Sequence, residues 1–350
     1  MKTYKKLLTK YGENVLLSQT ISQVDLNEDV LREILSHVDI QSLFQLCQVN
    51  KTLCHQHDDL FKHIYQRLYD QTGMVVFKTN TMSWYQLLKL CYQLSRLRLL
   101  LPSLKKYIMY ELYTMTELDL SDQKIKVLPP EMGQLIHLQK LYLYRNQLSA
   151  LPPEMGQLSN LKYLDLYRNQ LSALPPEMGQ LSHLKYLDLS DNQLSALPPE
   201  MGQLGALHHL KLSLNKLSTF PSEIGQLSHI QRLFLSNIQL SALPQEIGLL
   251  SDLQELSLSH NQLSALPPEI GQLRALEILF LSYNNLSELP QEIGQLIHLQ
   301  YLDLLNNQLS ALPPEMGQLS ALQQLDLYGN NLSSTLIKKL KRQLPNTFIF

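Results

Sequence analysis

Five side chains of types that bind zinc lie close together near the N terminus: Cys47, Cys54, His55, His57 and His63. Their spacing fits no standard zinc pattern, which requires paired ligands a few residues apart. The chain also lacks a P-loop, a G-x-S-x-G elbow, an H-E-x-x-H pair and a glycine-rich nucleotide turn. The sequence therefore predicts no catalytic, cofactor-binding or metal site, and a protein that is not an enzyme.

The composition of the chain narrows the classes of partner and cellular compartment that remain. The 350 residues carry a formal net charge of -2 at pH 7 and no strongly basic block, which argues against nucleic acid as a partner. Cys47, Cys54 and Cys91 are spaced neither as a disulfide framework nor as a C-x-x-C metal pair, and they suit a reducing compartment. The apolar run Val15 to Leu17 is too short for a signal-peptide core, and no stretch approaches the length that spans a bilayer. We expect a cytoplasmic protein with no membrane partner.

Ten copies of a 23-residue unit occupy most of the chain. Units begin without insertion at Met115, Leu138, Leu161, Leu184, Leu207, Ile230, Leu253, Leu276, Leu299 and Leu322. Aliphatic residues recur at unit positions 1, 4, 6, 11, 14 and 21, and one such face is buried only when a neighbouring unit covers it. A fixed period of this kind predicts a stacked solenoid over 115–333.

Each unit is expected to supply one short strand followed by a tight turn. Positions 4 and 6, such as Leu164 and Leu166, alternate with polar residues at the period of a half-buried strand. An asparagine usually follows at position 9, where its amide can pair backbone groups in the bend. The next Leu-Pro-Pro-Glu-Met-Gly stretch favours the first turn of a short helix or 3₁₀ segment. Gln123 and Ile238 replace the asparagine in two units, and we expect an irregularity near Asn237.

The unit resembles the leucine-rich repeat, LxxLxLxxNxLxxLPxxIGxLxx, over about two thirds of the chain. The resemblance implies an α/β fold: a horseshoe-shaped solenoid whose parallel β-sheet lines the concave side. Residues 334–342 are predicted to form a helix and 344–350 a last strand, so that 334–350 caps the open apolar edge.

Residues 25–71 read as an all-α domain, after an N-terminal extension over 1–24 and before a helical linker over 72–114. Val30, Leu31, Ile34, Leu35 and Val38 form a broad apolar stripe at helical spacing. In the linker, Trp84 is interpreted as a packing anchor rather than a binding residue.

The segment from Asp25 to Lys51 resembles an F-box, with Asn27 where that family has proline. The family binds the Skp adaptor of Skp-cullin-F-box ubiquitin ligases through this helical face. On that resemblance the contact candidates are Leu26, Asn27, Val30, Ile34, Leu35, Leu46 and Val49. The alternative is that these residues form the core of a helical cap on the solenoid.

Binding residues of the solenoid should lie where the units vary, at positions 2, 3, 5, 7 and 8, which are expected to point outward from the concave side. Tyrosine and arginine, which are enriched in binding hot spots, are frequent there. The candidates for binding a protein or peptide substrate are Tyr142, Tyr144, Arg145, Tyr163, Asp165, Tyr167, Arg168, Tyr186, Asp188, Phe234, Phe280, Tyr283 and Tyr301. The alternative for the tyrosines is recent copying of one unit, with stacked rings that only stabilise neighbouring strands.

Together these patterns predict a substrate-recognition subunit of a Skp-cullin-F-box ubiquitin ligase. Its F-box would recruit the Skp adaptor, and through it a cullin ligase, while the concave face holds a target protein. The near identity of the units resembles the repeat proteins of intracellular bacteria that imitate host domains, which implies an effector acting in a host cytosol. The alternative is a non-catalytic interaction scaffold whose N-terminal helices only cap the repeats.

Overall fold

The computed structural model describes residues 84–107 and 109–350, together with the helical residues Lys62 and Gln66. Its contacts divide the chain into two compact units, Met1–Tyr113 and Thr114–Phe350. The second unit contains the repeats and an 11-stranded parallel sheet in which each strand pairs with the next along the chain. This order confirms the solenoid that the 23-residue period predicts.

The first compact unit contributes helix α1 (Trp84–Leu100), a 3₁₀ helix (Pro102–Lys106) and most of helix α2 (Met109–Thr114). Helix α1 buries one stripe of side chains at helical spacing: Leu87, Leu90, Cys91, Leu94 and Leu97. Pro102 then begins the 3₁₀ helix, and the Arg98 guanidinium donates to the backbone oxygen of Lys105 at 3.0 Å. No helix among the described residues is long and apolar enough to cross a membrane.

The sheet of the second unit takes one three-residue strand from each repeat and a shorter last strand. The strands are β1 Glu117–Asp119, β2 Lys140–Tyr142, β3 Tyr163–Asp165, β4 Tyr186–Asp188, β5 His209–Lys211, β6 Arg232–Phe234, β7 Glu255–Ser257, β8 Ile278–Phe280, β9 Tyr301–Asp303, β10 Gln324–Asp326 and β11 Phe348–Ile349. From β1 to β10, equivalent residues of successive units lie in register, as Leu164 does with Leu187. The middle residue of each of these strands is a buried leucine, as the alternation predicts.

A 3₁₀ helix follows nine of the strands. These helices are Pro130–Gln134, Pro153–Gln157, Pro176–Gln180, Pro199–Gln203, Ser222–Gln226, Gln245–Leu249, Pro268–Gln272, Gln291–Gln295 and Pro314–Gln318. The residue before each one is a proline in the extended region, for example Pro175 at φ -70° and ψ 143°. Proline fixes φ and lacks an amide hydrogen, so it excludes a ladder strand and begins a short helical turn instead.

Close packing between successive 3₁₀ helices explains the glycine that recurs in them. A Cβ placed on Gly202 would lie 2.6 Å from the backbone oxygen of Glu223 in the next unit. Gly205, which lies outside the 3₁₀ helix, has no such neighbour within 4 Å. The 3₁₀ layer therefore stacks backbone against backbone, at a distance that only glycine permits.

Helix α3 (Ser334–Gln343) ends one residue beyond the predicted range, whereas strand β11 covers only Phe348–Ile349 of the predicted 344–350. The Ser333 hydroxyl accepts the Leu336 amide at 3.2 Å and caps the start of the helix. Leu340 and Leu344 are buried, and the Thr347 hydroxyl donates to the backbone oxygen of Leu322 at 2.6 Å.

The asparagine at position 9 connects each unit to the one before it. Asn192 Nδ2 donates to Leu189 O in its own unit and to Leu166 O in the previous unit, each at 3.0 Å. Its Oδ1 accepts the amide of Leu171 of the previous unit at 3.0 Å. The sequence predicted pairing within the bend, and the structure adds the bonds between units.

Unit six confirms the irregularity expected near Asn237, and unit one, which also lacks the asparagine, shows a similar change. Ile238 is fully buried and makes none of these polar contacts. Asn261 of the next unit accepts two amides instead, those of Ile238 at 3.2 Å and Leu240 at 3.0 Å. Lys124 and Gln239, which follow the substituted residues, adopt left-handed backbone with φ of 56° and 66°.

We expect Asn284→Ala to reduce the free energy of unfolding by about 3 kcal/mol, because it leaves buried backbone groups of two units unpaired. Asn330→Ala is the matched control: Asn330 makes the equivalent bonds but is only partly buried, so water can replace them. Urea denaturation followed by circular dichroism measures both variants, and the control should lose about 1 kcal/mol. Equal losses would contradict the dependence on burial.

Candidate functional site

The concave face, defined by residues at unit positions 3, 5, 7 and 8, carries a row of four neighbouring rings in its N-terminal half, of which the central pair is stacked and the outer two are tilted. Tyr163 and Tyr186 lie in register on β3 and β4, with ring centroids 4.3 Å apart and planes only 3° from parallel. Tyr142 continues the row at 5.1 Å from Tyr163, and His209 at 6.1 Å from Tyr186. The spacing of neighbouring strands, about 4.8 Å, suits ring stacking, so the row forms a continuous aromatic surface.

Two carboxylates lie beside this row. Asp165 and Asp188 are opposite each other on β3 and β4. Asp188 accepts the Tyr186 hydroxyl at 3.2 Å and pairs with Lys211 at 3.6 Å. The Lys211 ammonium also lies 5.2 Å from the centre of the Tyr186 ring and 5.8 Å from that of Phe234. One lysine thus neutralises part of the acidic charge and interacts with two rings.

The environment of the row disfavours ionisation of its members. Burial is the main cause that raises the pKa of Tyr186 to about 12 and that raises the pKa of Tyr163. Burial also raises the pKa of Asp165, helped by the Asp188 charge and opposed by the hydrogen bond from the Tyr167 amide. The face is therefore partly desolvated, which strengthens any charge interaction that a partner makes there.

Position 8 has left-handed backbone in all ten units, although only one of these residues is glycine. Arg145, Arg168 and Tyr283 have φ between 54° and 57°. A non-glycine residue costs about 1–2 kcal/mol in this region. The cost is accepted in nine units because the chain must reverse there before position 9 turns inward. The backbone consequently fixes the direction of the Cα–Cβ bond at position 8 in these units.

The C-terminal half of the face has a second group of rings. Phe280 and Tyr301, on β8 and β9, have centroids 5.2 Å apart. Tyr283 stacks on His260 at 4.3 Å and is 46% exposed. Between the two groups of rings, serines occupy position 7 of units four to eight, and the Ser236 and Ser257 hydroxyls are 2.7 Å apart.

The structure places nearly all the predicted substrate-binding residues of the solenoid on this face, half-buried or exposed. They are Tyr142, Tyr144, Arg145, Tyr163, Asp165, Tyr167, Arg168, Tyr186, Phe234, Phe280, Tyr283 and Tyr301. Asp188 differs from the expectation of an outward, accessible side chain. It is only 7% exposed, because it is engaged by Tyr186 and Lys211.

Sequence reasoning missed several residues of the face, among them Lys211, His209 and His260. Each occupies a variable unit position, and that position is the sequence signal that identifies it. The prediction selected mainly tyrosine and arginine at these positions and therefore omitted lysine and histidine. The predicted adaptor-binding residues Leu26, Asn27, Val30, Ile34, Leu35, Leu46 and Val49 lie outside the described residues, as does the side chain of Trp84.

Comparison with family models gives matches for both parts of the chain. A model described as a leucine-rich repeat region matches residues 153–234, 174–260 and 221–296. A leucine rich repeat model matches 113–171 and 274–332. The F-box domain model matches 24–56. A search of curated proteins gave no significant match.

Several solved structures resemble the repeats. An LRR protein of Leptospira interrogans, LIC12759, is 33% identical over 71% of this chain and 87% of its own, with a TM-score of 0.41. The plant peptide hormone receptor RGFR1, in complex with RGF2, is 32% identical over 67% of this chain, with a TM-score of 0.56. The functional domain of InlJ from Listeria monocytogenes is 25% identical over 67%, with a TM-score of 0.57. This chain spans 43% of the RGFR1 chain and 48% of the InlJ chain.

We expect Asp165→Asn to increase the free energy of unfolding at pH 7 by on the order of 0.5 kcal/mol, because it removes one of two carboxylates that face each other. The new amide oxygen can still accept the Tyr167 amide. The folded-state pKa of Asp165 lies above its ordinary 3.8, so its ionisation costs stability as the pH rises through the folded-state pKa. The gain should disappear below about pH 3.8, where the native carboxyl is neutral.

Thermal unfolding at pH 7 and pH 3 measures this difference. Asp119→Asn is the matched control, since Asp119 occupies the same unit position, accepts the equivalent amide from Ser121 and is exposed. The control should leave stability unchanged. A loss of stability in Asp165→Asn at pH 7 would contradict the burial argument.

Proposed function

Because this chain belongs to the leucine-rich-repeat proteins and carries an F-box domain over residues 24–56, we propose that it is the substrate-recognition subunit of a Skp-cullin-F-box type ubiquitin ligase. The F-box recruits the Skp adaptor and, through it, the cullin ligase. The concave face of the repeats holds the target protein. The observation that carries the proposal is the occurrence of an F-box and a ten-unit repeat surface in one chain.

The adaptor side of the proposal rests on the apolar stripe of the F-box. Val30, Ile34 and Leu35 fall on one side of a predicted helix, and Leu26, Asn27, Leu46 and Val49 complete the proposed contact. A stripe this wide on a segment this short is difficult to bury within the segment itself, which favours a partner.

The target side of the proposal rests on the concave face. Its rings pack against one another and are held by the sheet, so they lose little conformational freedom when a partner binds. One relative with the same fold, RGFR1, is a plant peptide hormone receptor in complex with RGF2, which supports the use of such a solenoid for peptide recognition. In this proposal the protein catalyses no reaction itself and acts by raising the effective concentration of the target protein near the ligase.

The proposed place of action follows from the proposed partners. Skp and cullin assemblies belong to the eukaryotic cytosol, so the protein works there, and the near identity of its units favours a bacterial effector delivered into a host cell. Expression in cultured human cells, followed by capture of the protein, tests this part by asking whether endogenous Skp and cullin accompany it.

The second candidate function is an interaction scaffold with no link to a ligase, in which the N-terminal helices only cap the repeats. The stacked rings and bonds between units, which stabilise the solenoid by themselves, are compatible with it. The two functions differ in one respect, which is binding of the Skp adaptor.

We expect the full chain to co-purify with a eukaryotic Skp adaptor and Leu35→Asp to lose it, because a charge in the apolar stripe cannot be desolvated against the adaptor. Ser36→Asp is the matched control, since it adds the same charge one residue away at a position outside the stripe. It should retain binding, as should the double variant Tyr163→Ala and Tyr186→Ala, which changes only the concave face.

Circular dichroism establishes that the repeats of each variant are folded. No binding by the intact chain would contradict the ligase role and leave the scaffold. Equal binding by wild type and Leu35→Asp would contradict the proposed contact.

A further inference from the structure

The two halves of the sheet differ in the charge carried at the variable positions 2, 3, 5, 7 and 8. Units two to four carry five basic residues there against three carboxylates; the basic residues are Lys140, Arg145, Lys162, Arg168 and Lys185, and the carboxylates are Asp165, Asp188 and Asp191. Units seven to ten carry no lysine or arginine at positions 2, 3, 5, 7 or 8, but four carboxylates: Glu255, Glu277, Asp303 and Asp326. Rings and aliphatic side chains occupy many of the other variable positions of these units. We call Phe280, Tyr283, Tyr301, Leu305, Asp303 and Asp326 the acidic aromatic face.

Asp303 and Asp326 lie directly opposite each other on β9 and β10. Like charges in this arrangement destabilise a sheet. Each carboxylate accepts one backbone amide, from Leu305 and Tyr328 respectively, both at 3.0 Å. Among residues 84–107 and 109–350, neither carboxylate forms an ion pair with a lysine, arginine or histidine.

The equivalent pair of aspartates in the N-terminal half of the sheet has a lysine beside it. Asp165 and Asp188 also lie opposite each other, but Lys211 on the next strand pairs with Asp188 at 3.6 Å. On the strand after Asp326, the residues are Phe348 and Ile349, which supply no charge. In one half of the sheet the neighbouring strand provides a cation, and in the other half the neighbouring strand β11 does not.

The rings of the acidic aromatic face can take part in binding the same cation. The Tyr301 ring packs 5.2 Å from Phe280, and both carboxylates act with burial to raise the pKa of the Tyr301 hydroxyl. Tyr301 is therefore close to both charges. A guanidinium or ammonium group that approaches Asp303 and Asp326 would also lie near aromatic rings, which attract cations.

We propose that the acidic aromatic face binds a basic segment of the target protein, in which lysine or arginine side chains are interspersed with apolar ones. The inference rests on the proposed function, since it specifies the kind of target that the concave face holds. The basic side chains supply the charge that Asp303 and Asp326 lack, and the apolar side chains cover Phe280, Tyr283 and Leu305. An acidic segment is disfavoured by like charge, and a purely apolar one would leave two carboxylates without a partner.

Selection from a phage-displayed library of random 12-residue peptides on the full chain tests the inference. We expect the recovered peptides to be enriched in lysine or arginine together with aromatic or aliphatic residues. Their affinity, measured by fluorescence anisotropy of the synthetic peptides, should fall about tenfold in the double variant Asp303→Asn and Asp326→Asn. It should also fall when the salt concentration rises from 0.05 to 0.5 M, as screening of exposed charges requires.

Two further variants assign the effect to this part of the sheet. Phe280→Ser should weaken the same peptides, because it removes apolar contact area. Asp119→Asn, at the same unit position on β1 and with the same amide contact, should leave their affinity unchanged. Recovery of acidic or purely apolar peptides, of basic peptides that bind the double variant equally well, or of no peptide that depends on the concave face would overturn the inference.

Co-purification with the Skp adaptor from the same preparation separates this inference from the proposed function. Adaptor binding without recovery of basic peptides would overturn the proposed basic target segment but not the ligase role. Basic peptides that depend on Asp303 and Asp326, without adaptor binding, would leave the inference standing and remove the ligase role.

Discussion

The amide of one asparagine side chain connects each repeat to the previous one, and the stack depends on this connection. Asn192 satisfies carbonyls of two units and an amide of the previous unit, all in a bend from which water is excluded. A short strand cannot turn back at this point without burying backbone polar groups, and each unpaired group would cost roughly 1–3 kcal/mol. In unit six, where Ile238 replaces the asparagine of position 9, Asn261 of the next unit accepts two amides and the backbone at Gln239 is left-handed. The solenoid continues, but with fewer bonds between its fifth and sixth units.

A constant interior leaves the exterior free to vary. The buried leucines, the position-9 asparagines and the close-packed glycines fix the geometry of every unit, so the residues on the concave face can differ without changing the fold. Left-handed backbone at position 8 adds to this by fixing the direction of the Cα–Cβ bond at residues such as Arg145 and Tyr283. One scaffold therefore presents two chemically different surfaces. Charges are partly paired around Asp188 and Lys211, whereas in the part of the chain that the structure describes no ion pair involves Asp303 or Asp326.

The sequence was sufficient for the features that repeat and insufficient for those that depend on contacts between side chains of different units. Leucine spacing, the strand at positions 3 to 5 and the 3₁₀ turn after Pro175 follow from local rules that act within a single unit. The burial of Asp188 could not be predicted, because it depends on Tyr186 and on Lys211 of the next strand. The left-handed backbone at Arg168 had no local signal either, since arginine does not favour that region. The F-box contact with the Skp adaptor remains a prediction from sequence.

In the proposed function, the F-box binds the ligase adaptor while the concave face independently holds a basic target segment. Sandwich capture tests whether both partners bind at once: the Skp adaptor is immobilised, the full chain is added, and a fluorescent peptide selected on the concave face is then applied. We expect the peptide to be retained only when the full chain is present, in a 1:1 ratio to it and with the affinity measured in solution. Retention of the chain with loss of the peptide, or displacement of the chain from the adaptor by the peptide, would show that the two partners do not bind independently.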